Sequence, residues 1–200
     1  MTHGFVTERD RVPLGRAQVV AWKVREELEP YCERIEVAGS VRRRRESVKD
    51  VEILAAPLAS RPDLLGLAQS DMLSDYLQRR LKAPGDRWTL RPNRVGRTSF
   101  GRLNKLMLYE DFPVDIFTAE GTANWGRDLM VRTGPKEWSV AFMQRLKDLG
   151  MAGHAYGPHA ATRGDEYFDA PDEAAMFELL RWEPVAPEWR GIVTPKAAAA

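Results

Sequence analysis

Three carboxylates and a glycine–serine pair carry the chemistry this sequence offers. In "VAGSVRRRRESVKDVEIL", residues 37–54, Gly39 and Ser40 precede four consecutive arginines, and Asp50 and Glu52 follow, one residue apart. A further acid, Asp115, lies far downstream in "FPVDIF". A Gly-Ser turn presents backbone N–H groups and a hydroxyl to an anion, and a nearby arginine adds bidentate, charge-assisted hydrogen bonds to phosphate. Carboxylates at i and i+2 share one face of a strand, where they can chelate a hard divalent cation; magnesium binds through one or two carboxylates plus substrate phosphates. In a two-ion displacement the ions lie about 3.5–4 Å apart, one on the attacking and one on the leaving oxygen. Asp115 is the candidate for the attacking side. Taken singly, strand acids and an arginine run describe a solvated face; the combination points to metal-assisted phosphate chemistry.

Successive residues of a helical turn are about 100° apart, so Arg42 to Arg45 cannot all face one phosphate. Arg43 is the first candidate and Arg42 the second, leaving Arg44 and Arg45 for solvent or a nucleic-acid backbone.

Several elements must position these groups. Leu14, Ala17, Ala21, Val24 and Leu28 recur at helical spacing and predict an amphipathic helix ending before Pro30. "RIEVAG" predicts a strand stopping at Gly39, and "DVEILAAP" a second strand with Val51, Ile53 and Ala55 on one face and Asp50, Glu52 and Leu54 on the other. Leu65, Met72, Leu73, Leu77 and Leu81 predict a helix over 63–81. "LNKLMLYE" and "PVDIFT", separated by "DF", predict an antiparallel hairpin in which Asp115 and Phe117 face away from the core. Trp138, Ala141, Phe142, Leu146 and Leu149 mark a further helix, and Met176, Leu179 and Leu180 the stripe of another opened by Asp169 and Pro171. These elements predict an α+β fold with a mixed sheet: a catalytic lobe over 1–119, a small α+β lobe over 120–192 and a flexible tail over 193–200.

With 200 residues, 44% apolar and 30% charged, the chain reads as a globular protein able to bury a core. A net charge of +1 provides no global field for nucleic acid or membrane, so any basic surface is local. The single cysteine, Cys32, excludes an internal disulfide and reads as a buried residue in a reducing compartment. No secretory h-region or membrane-length apolar run is present, so a cytoplasmic protein, expected to be monomeric, follows. His3, His154 and His159 are too scattered to argue a metal site. Trp125 and Trp189 are candidates for base stacking, whereas Trp138 and Trp182 are expected to pack the small lobe.

The pattern Gly39, Ser40, Arg42, Arg43, then Asp50 and Glu52, then Asp115, resembles the nucleotidyltransferases related to family X DNA polymerases, the group that includes polymerase beta. "RTGP", with Thr133 and Gly134, resembles that family's Thr-Gly turn before the helix lying against the incoming nucleotide. "GDEYFDAPDEAAMFELLRWEPVAPEWR" resembles its C-terminal pattern of strand, acid-started helix and late arginine. The resemblance spans about Leu14 to Arg190. It departs at Glu52, where the commoner residue is Asp, and at Lys49, where glycine is usual. Val131 and Arg132 stand for the aromatic pair near the nucleotide sugar, and Lys136 and Ser139 for the Asp and Asn that touch base and sugar. The family's N-terminal lyase and helix-hairpin-helix modules, and a C-terminal phosphoesterase domain, have no counterpart in the pattern.

The resemblance implies transfer of a nucleotidyl group from a nucleoside triphosphate to a hydroxyl, with a DNA 3′-hydroxyl as the leading acceptor and pyrophosphate as product. It implies two ions, Mg²⁺ or Mn²⁺, on Asp50, Glu52 and Asp115, and nucleotide contacts from Gly39, Ser40, Arg42, Arg43, Thr133, Gly134, Lys136 and Ser139. Arg44, Arg45, Arg91, Arg94, Arg97 and Arg102 are weaker candidates for a DNA primer or template backbone, equally compatible with a solvated hairpin. A separate DNA-binding or repair protein would supply the missing modules. Two alternatives stay open: a nucleotidyltransferase acting on RNA, protein or a small molecule, and a degenerate module that only binds nucleotide or nucleic acid.

Overall fold

The computed structural model describes residues 11–60, 70–93, 95–154 and 157–196. In chain order, β1 (Val12–Pro13) leads into α1 (Leu14–Leu28), β2 (Cys32–Val37), the single turn α2 (Gly39–Arg42), β3 (Ser47–Val48) and β4 (Val51–Pro57). Then follow α3 (Met72–Lys82), β5 (Trp88–Leu90), β6 (Asn104–Tyr109) and β7 (Phe112–Thr118). The last third contains α4 (Trp125–Thr133), α5 (Lys136–Asp148), β8 (Ala152–Gly153), β9 (Ala161–Arg163), β10 (Glu166–Phe168) and α6 (Glu173–Leu180).

Five strands form one mixed sheet in the order β2-β4-β7-β6-β5, parallel only between β4 and β7. The period of two in β4 and β7 decides the packing. Val51, Ile53 and Ala55 of β4, with Val114 and Ile116 of β7, are fully buried against Ala17, Ala21, Val24 and Leu28 of α1 and Leu73 and Leu77 of α3. Each large aliphatic contributes about 1.5–3 kcal/mol by leaving water. Helix α3 starts at Met72, capped by Asp71, whose carboxylate accepts from Ser74 N–H at 2.6 Å. The part of the expected 63–81 helix that includes Leu65 lies outside the described residues.

The opposite sheet face was expected to look away from the core, and beyond the carboxylates it does not. Leu54, Ala56, Ala119 and half-buried Phe117 pack with Trp125 and Leu129 of α4 into a second apolar cluster. Trp125 is fully buried there, which removes it as a stacking candidate. Helix α4 escapes the apolar-stripe signal because it buries charge: Arg127 and Asp128 are 2% and 9% exposed and pair at 2.8 Å. A third cluster joins Met130 of α4 to α5, α6 and the three short strands, with Trp138 edge-on to Trp182 and Phe177.

The hairpin between β6 and β7 turns on Glu110 and Asp111, both at positive φ (49° and 64°), and Phe112 already belongs to β7. The turn is therefore "ED" rather than "DF", a two-residue connection with the left-handed backbone that matches strand twist.

Candidate functional site

Two short pairings set the acids in place. Strand β1 pairs with β3, Val12 opposite Val48, so the chain passes Lys49 and Asp50 immediately before entering β4. In the parallel pairing of β4 with β7, Glu52 stands directly opposite Asp115. Asp50, Glu52 and Asp115 thus occupy one sheet face on neighbouring strands, at the edge of the cluster that α4 covers.

Burial raises all three above the usual carboxylate range. For Asp50 the Asp115 charge adds to burial. Glu52 is pushed up to about 7 by burial and then by Asp50 and Asp115. Burial raises Asp115 as well, against the pull of the Arg91 guanidinium, whose Nη2 donates to Asp115 Oδ1. Three desolvated carboxylates disfavour their charged forms, and an all-oxygen donor set suits a hard divalent cation. Among the described residues, however, no three His, Cys, Asp or Glu side chains converge as a metal-holding group. Asp115 is turned to Arg91, and Glu52 leans towards the Gly-Ser turn.

That lean explains the glycine. Gly39 has φ +61°, and a Cβ there would lie 1.6 Å from Glu52 Oε2. Only glycine tolerates both the backbone conformation and the carboxylate above it. Ser40 follows at the start of α2, beside a cleft of about 880 Å³. The cleft is lined by Arg11, Ser40, Arg43, Arg44, Arg45 and Glu46, by Ser47, Lys49, Asp50 and Glu52, and by Glu188, Trp189 and Ile192.

The arginine run divides as a helical turn requires, but most of it is tied to the far end of the chain. Arg42 forms a two-pronged pair with Glu173, at 2.9 and 2.8 Å, and donates to Thr133 Oγ1 at 2.8 Å. It does not line the cleft. Arg43 faces the cleft while Nη1 donates to the Thr133 carbonyl. Arg44 is exposed, with φ 53°, and Arg45 donates to the Arg190 carbonyl at 2.9 Å.

Glu173 also accepts from Arg190 at 2.6 Å. Burial pushes this carboxyl up, but hydrogen bonds from Arg42 and Arg190 outweigh it and hold it below the usual range. Of the other residues expected at the nucleotide, Thr133 is fully buried, and a Cβ on Gly134 would sit 3.3 Å from Arg43 Nη1. Ser139 Oγ donates to the Val131 carbonyl at 3.3 Å. Neither these three nor Lys136 lines the cleft.

Arg132 stacks 3.8 Å over Phe117, and its charge also reaches Glu52. Arg97 is exposed; Arg102, also exposed, pairs with Glu120. Arg94 lies outside the described residues. His154 lies 3.2 Å from Thr162 Oγ1, and His159 3.0 Å from Asp169 Oδ1.

Sequence reading did not find Arg11, the Arg91–Asp115 pair or the Arg42–Glu173–Arg190 cluster. Residues 42, 173 and 190 carry no spacing signal for one another. The late arginine and the acid-started helix were visible only as separate motifs.

A mixed five-stranded sheet with flanking helices, its central parallel pair carrying the acids beside a Gly-Ser turn, has the polymerase beta-like nucleotidyltransferase fold. Among solved structures the chain is similar to Leishmania infantum polymerase beta, in a ternary gap complex, with a TM-score of 0.63 and 18% identity over 90% of this chain and 70% of that one. No family model matches the sequence, and no curated protein matches it. Among the described residues no helix is long and apolar enough to cross a membrane.

Proposed function

We propose that the chain transfers a nucleotidyl group from a nucleoside triphosphate to a hydroxyl, with a DNA 3′-hydroxyl as the leading acceptor. The observation that carries this reading is the register of β4 on β7: Glu52 directly opposite Asp115, with Asp50 two residues earlier, beside the Gly-Ser turn. The similar fold of a polymerase beta bound in a gap complex supports it.

In this reading Ser40 and Arg43 hold the outer phosphates through a hydroxyl and a guanidinium, the charge-assisted pairing that suits phosphate oxygens. The attacking hydroxyl oxygen forms a bond to the α-phosphorus, the bond from that phosphorus to the bridging oxygen breaks, and pyrophosphate leaves. Asp115 receives the hydroxyl proton on Oδ2 while Arg91 holds Oδ1; its raised proton affinity makes it a better acceptor than an exposed aspartate. Asp50, Glu52 and Asp115 would hold Mg²⁺ or Mn²⁺, which supplies neutralisation of the charge developing on the phosphates. Catalysis of this kind is mainly positioning and charge stabilisation.

Arg91's hold on Asp115 favours a second reading, a module that binds nucleotide without transferring it. Both are tested by incubating the full chain with Mg²⁺ or Mn²⁺, labelled nucleotides and a panel of gapped DNA, single-stranded DNA, tRNA and the protein itself. Primer extension that disappears in Asp115→Ala supports the polymerase, and extension that survives it sinks the mechanism. Labelling of another acceptor redirects the substrate assignment, whereas nucleotide binding without transfer to any acceptor favours the module.

A further inference from the structure

The cleft has an aromatic wall that the phosphate and metal chemistry does not use. Trp189 and Ile192 line it together with Ser40, Arg43, Asp50 and Glu52, and they are 53% and 59% exposed. Among the described residues lining the cleft, Trp189 is the only aromatic one. An indole left in water gives up apolar burial, so what holds it there matters.

Hydrogen bonds and buried neighbours hold the mounting. Pro187–Trp189 form a 3₁₀ turn, and the Ile192 and Val193 N–H groups donate back to the Trp189 carbonyl at 3.0 and 3.1 Å. The next residue, Arg190, is 1% exposed. It donates to Glu173 at 2.6 Å and to the Val185 carbonyl at 3.1 Å, and lies 5.5 Å from the ring centres of both Trp138 and Phe177. Gly191 follows at φ +82°, where a Cβ would lie 2.6 Å from Pro135 Cγ. With Arg190 fixed in the small-lobe core and Gly191 pressed on Pro135, Trp189 is presented to the cleft by its backbone.

The facing chemistry defines what could cover it. Arg11, Arg43, Arg44, Arg45 and Lys49 set five cations against the four acids Glu46, Asp50, Glu52 and Glu188. Asp50 and Glu52 are the two that a divalent ion would neutralise, which leaves the cleft positive when loaded. A ligand matching both walls carries phosphates and a flat ring. Base stacking on an aromatic side chain is tolerant of sequence because every base has a π-face.

We propose that Trp189 is a nucleobase-stacking platform, with Ile192 extending its apolar surface, for a ligand whose phosphates lie along the Arg43–Arg45 turn. This rests on the nucleotidyltransferase reading above. The base belongs either to the incoming nucleoside triphosphate or to a single strand that presents the acceptor; in both cases the chemistry is a base-bearing phosphate chain.

The test compares three probes by calorimetry on the full chain with Mg²⁺: inorganic tripolyphosphate, dATP and a six-residue oligodeoxythymidylate. Trp189→Ala is expected to weaken dATP or the oligonucleotide about tenfold while leaving tripolyphosphate unchanged, and Trp189→Phe to keep most of the affinity. Loss confined to dATP assigns the platform to the incoming nucleotide, and loss confined to the oligonucleotide assigns it to the strand. Equal weakening of all three probes, or no change in dATP and the oligonucleotide, overturns stacking. If the wild type binds dATP and the oligonucleotide and Trp189→Ala binds both as well, stacking alone fails; if the wild type binds none of the probes, the nucleotidyltransferase reading fails with it. Trp22→Ala, on the exposed face of α1 and 59% exposed, is the control for removing a surface indole.

Discussion

The two faces of β4 and β7 share one backbone and do opposite work. On one face Val51, Ile53, Ala55, Val114 and Ile116 are all fully buried. On the other, Glu52 and Asp115 stand in register, with burial raising the proton affinity of both. The difference teaches that the site is held by residues one position away from it: the apolar face fixes the strands strongly enough to keep desolvated carboxylates together. Such carboxylates lower the stability of the fold that contains them and are tolerated because the other face more than offsets them.

Breaking the apolar face should have the largest effect. Ile53→Ala is expected to cost about 2–5 kcal/mol of unfolding free energy, measured by denaturant titration. Asp115→Asn should leave the denaturant midpoint at or above wild type and, if the proposed reaction is right, lower turnover by about 10²–10³-fold in primer extension. Equal stability losses in the two variants would erase the distinction between the faces.

The junction between Gly39 and Glu52 gives an intermediate effect. Gly39→Ala places a methyl group on the Glu52 carboxylate, whereas Glu52→Ala removes the obstacle. A double-mutant cycle should show coupling of about 0.5–3 kcal/mol, with the alanine at 39 less harmful when Glu52 is absent. Additive effects would show that the glycine is needed for backbone conformation alone.

Proton linkage sharpens the same contrast. Glu52 ionises near 4.5 in the unfolded chain and at about 7 in the folded one. Between these values the folded state holds the extra proton, so the stability of metal-free protein falls as pH rises from about 4.5 to about 7 and then levels. Asp50 and Asp115, raised in the same direction, add to the slope. Thermal melts in chelator across this window should show the decline, and Glu52→Gln should reduce it. The smallest effect is expected at Arg102, which is exposed and pairs with Glu120. Arg102→Ala should shift stability by no more than about 0.5 kcal/mol, which a denaturant titration can bound.

Alternation made the acid face legible from sequence, because a period of two leaves Asp50, Glu52 and Leu54 little choice of side once Val51, Ile53 and Ala55 are buried. The same rule placed Asp115 opposite to Val114 and Ile116. It could not show that Leu54 and Phe117 sit under α4, because that helix buries Arg127 and Asp128 and so breaks the apolar stripe. Nor could it pair Arg42 with Glu173, or Arg91 with Asp115, since such contacts are set by the approach of elements distant in the chain. The hairpin was read correctly and its turn displaced by one residue, because Phe112 continues the strand's burial pattern and Asp111 tolerates a left-handed backbone.

One carboxylate, Glu173, lies between two guanidiniums that enter the chain 148 positions apart, Arg42 and Arg190. During synthesis the Gly-Ser turn and the first acids emerge early, but the half-buried partner of Arg42 comes more than a hundred residues later, and that partner's second arginine later still. The arginine turn beside the acids therefore takes its final hydrogen bonds only after nearly all of the chain has been made.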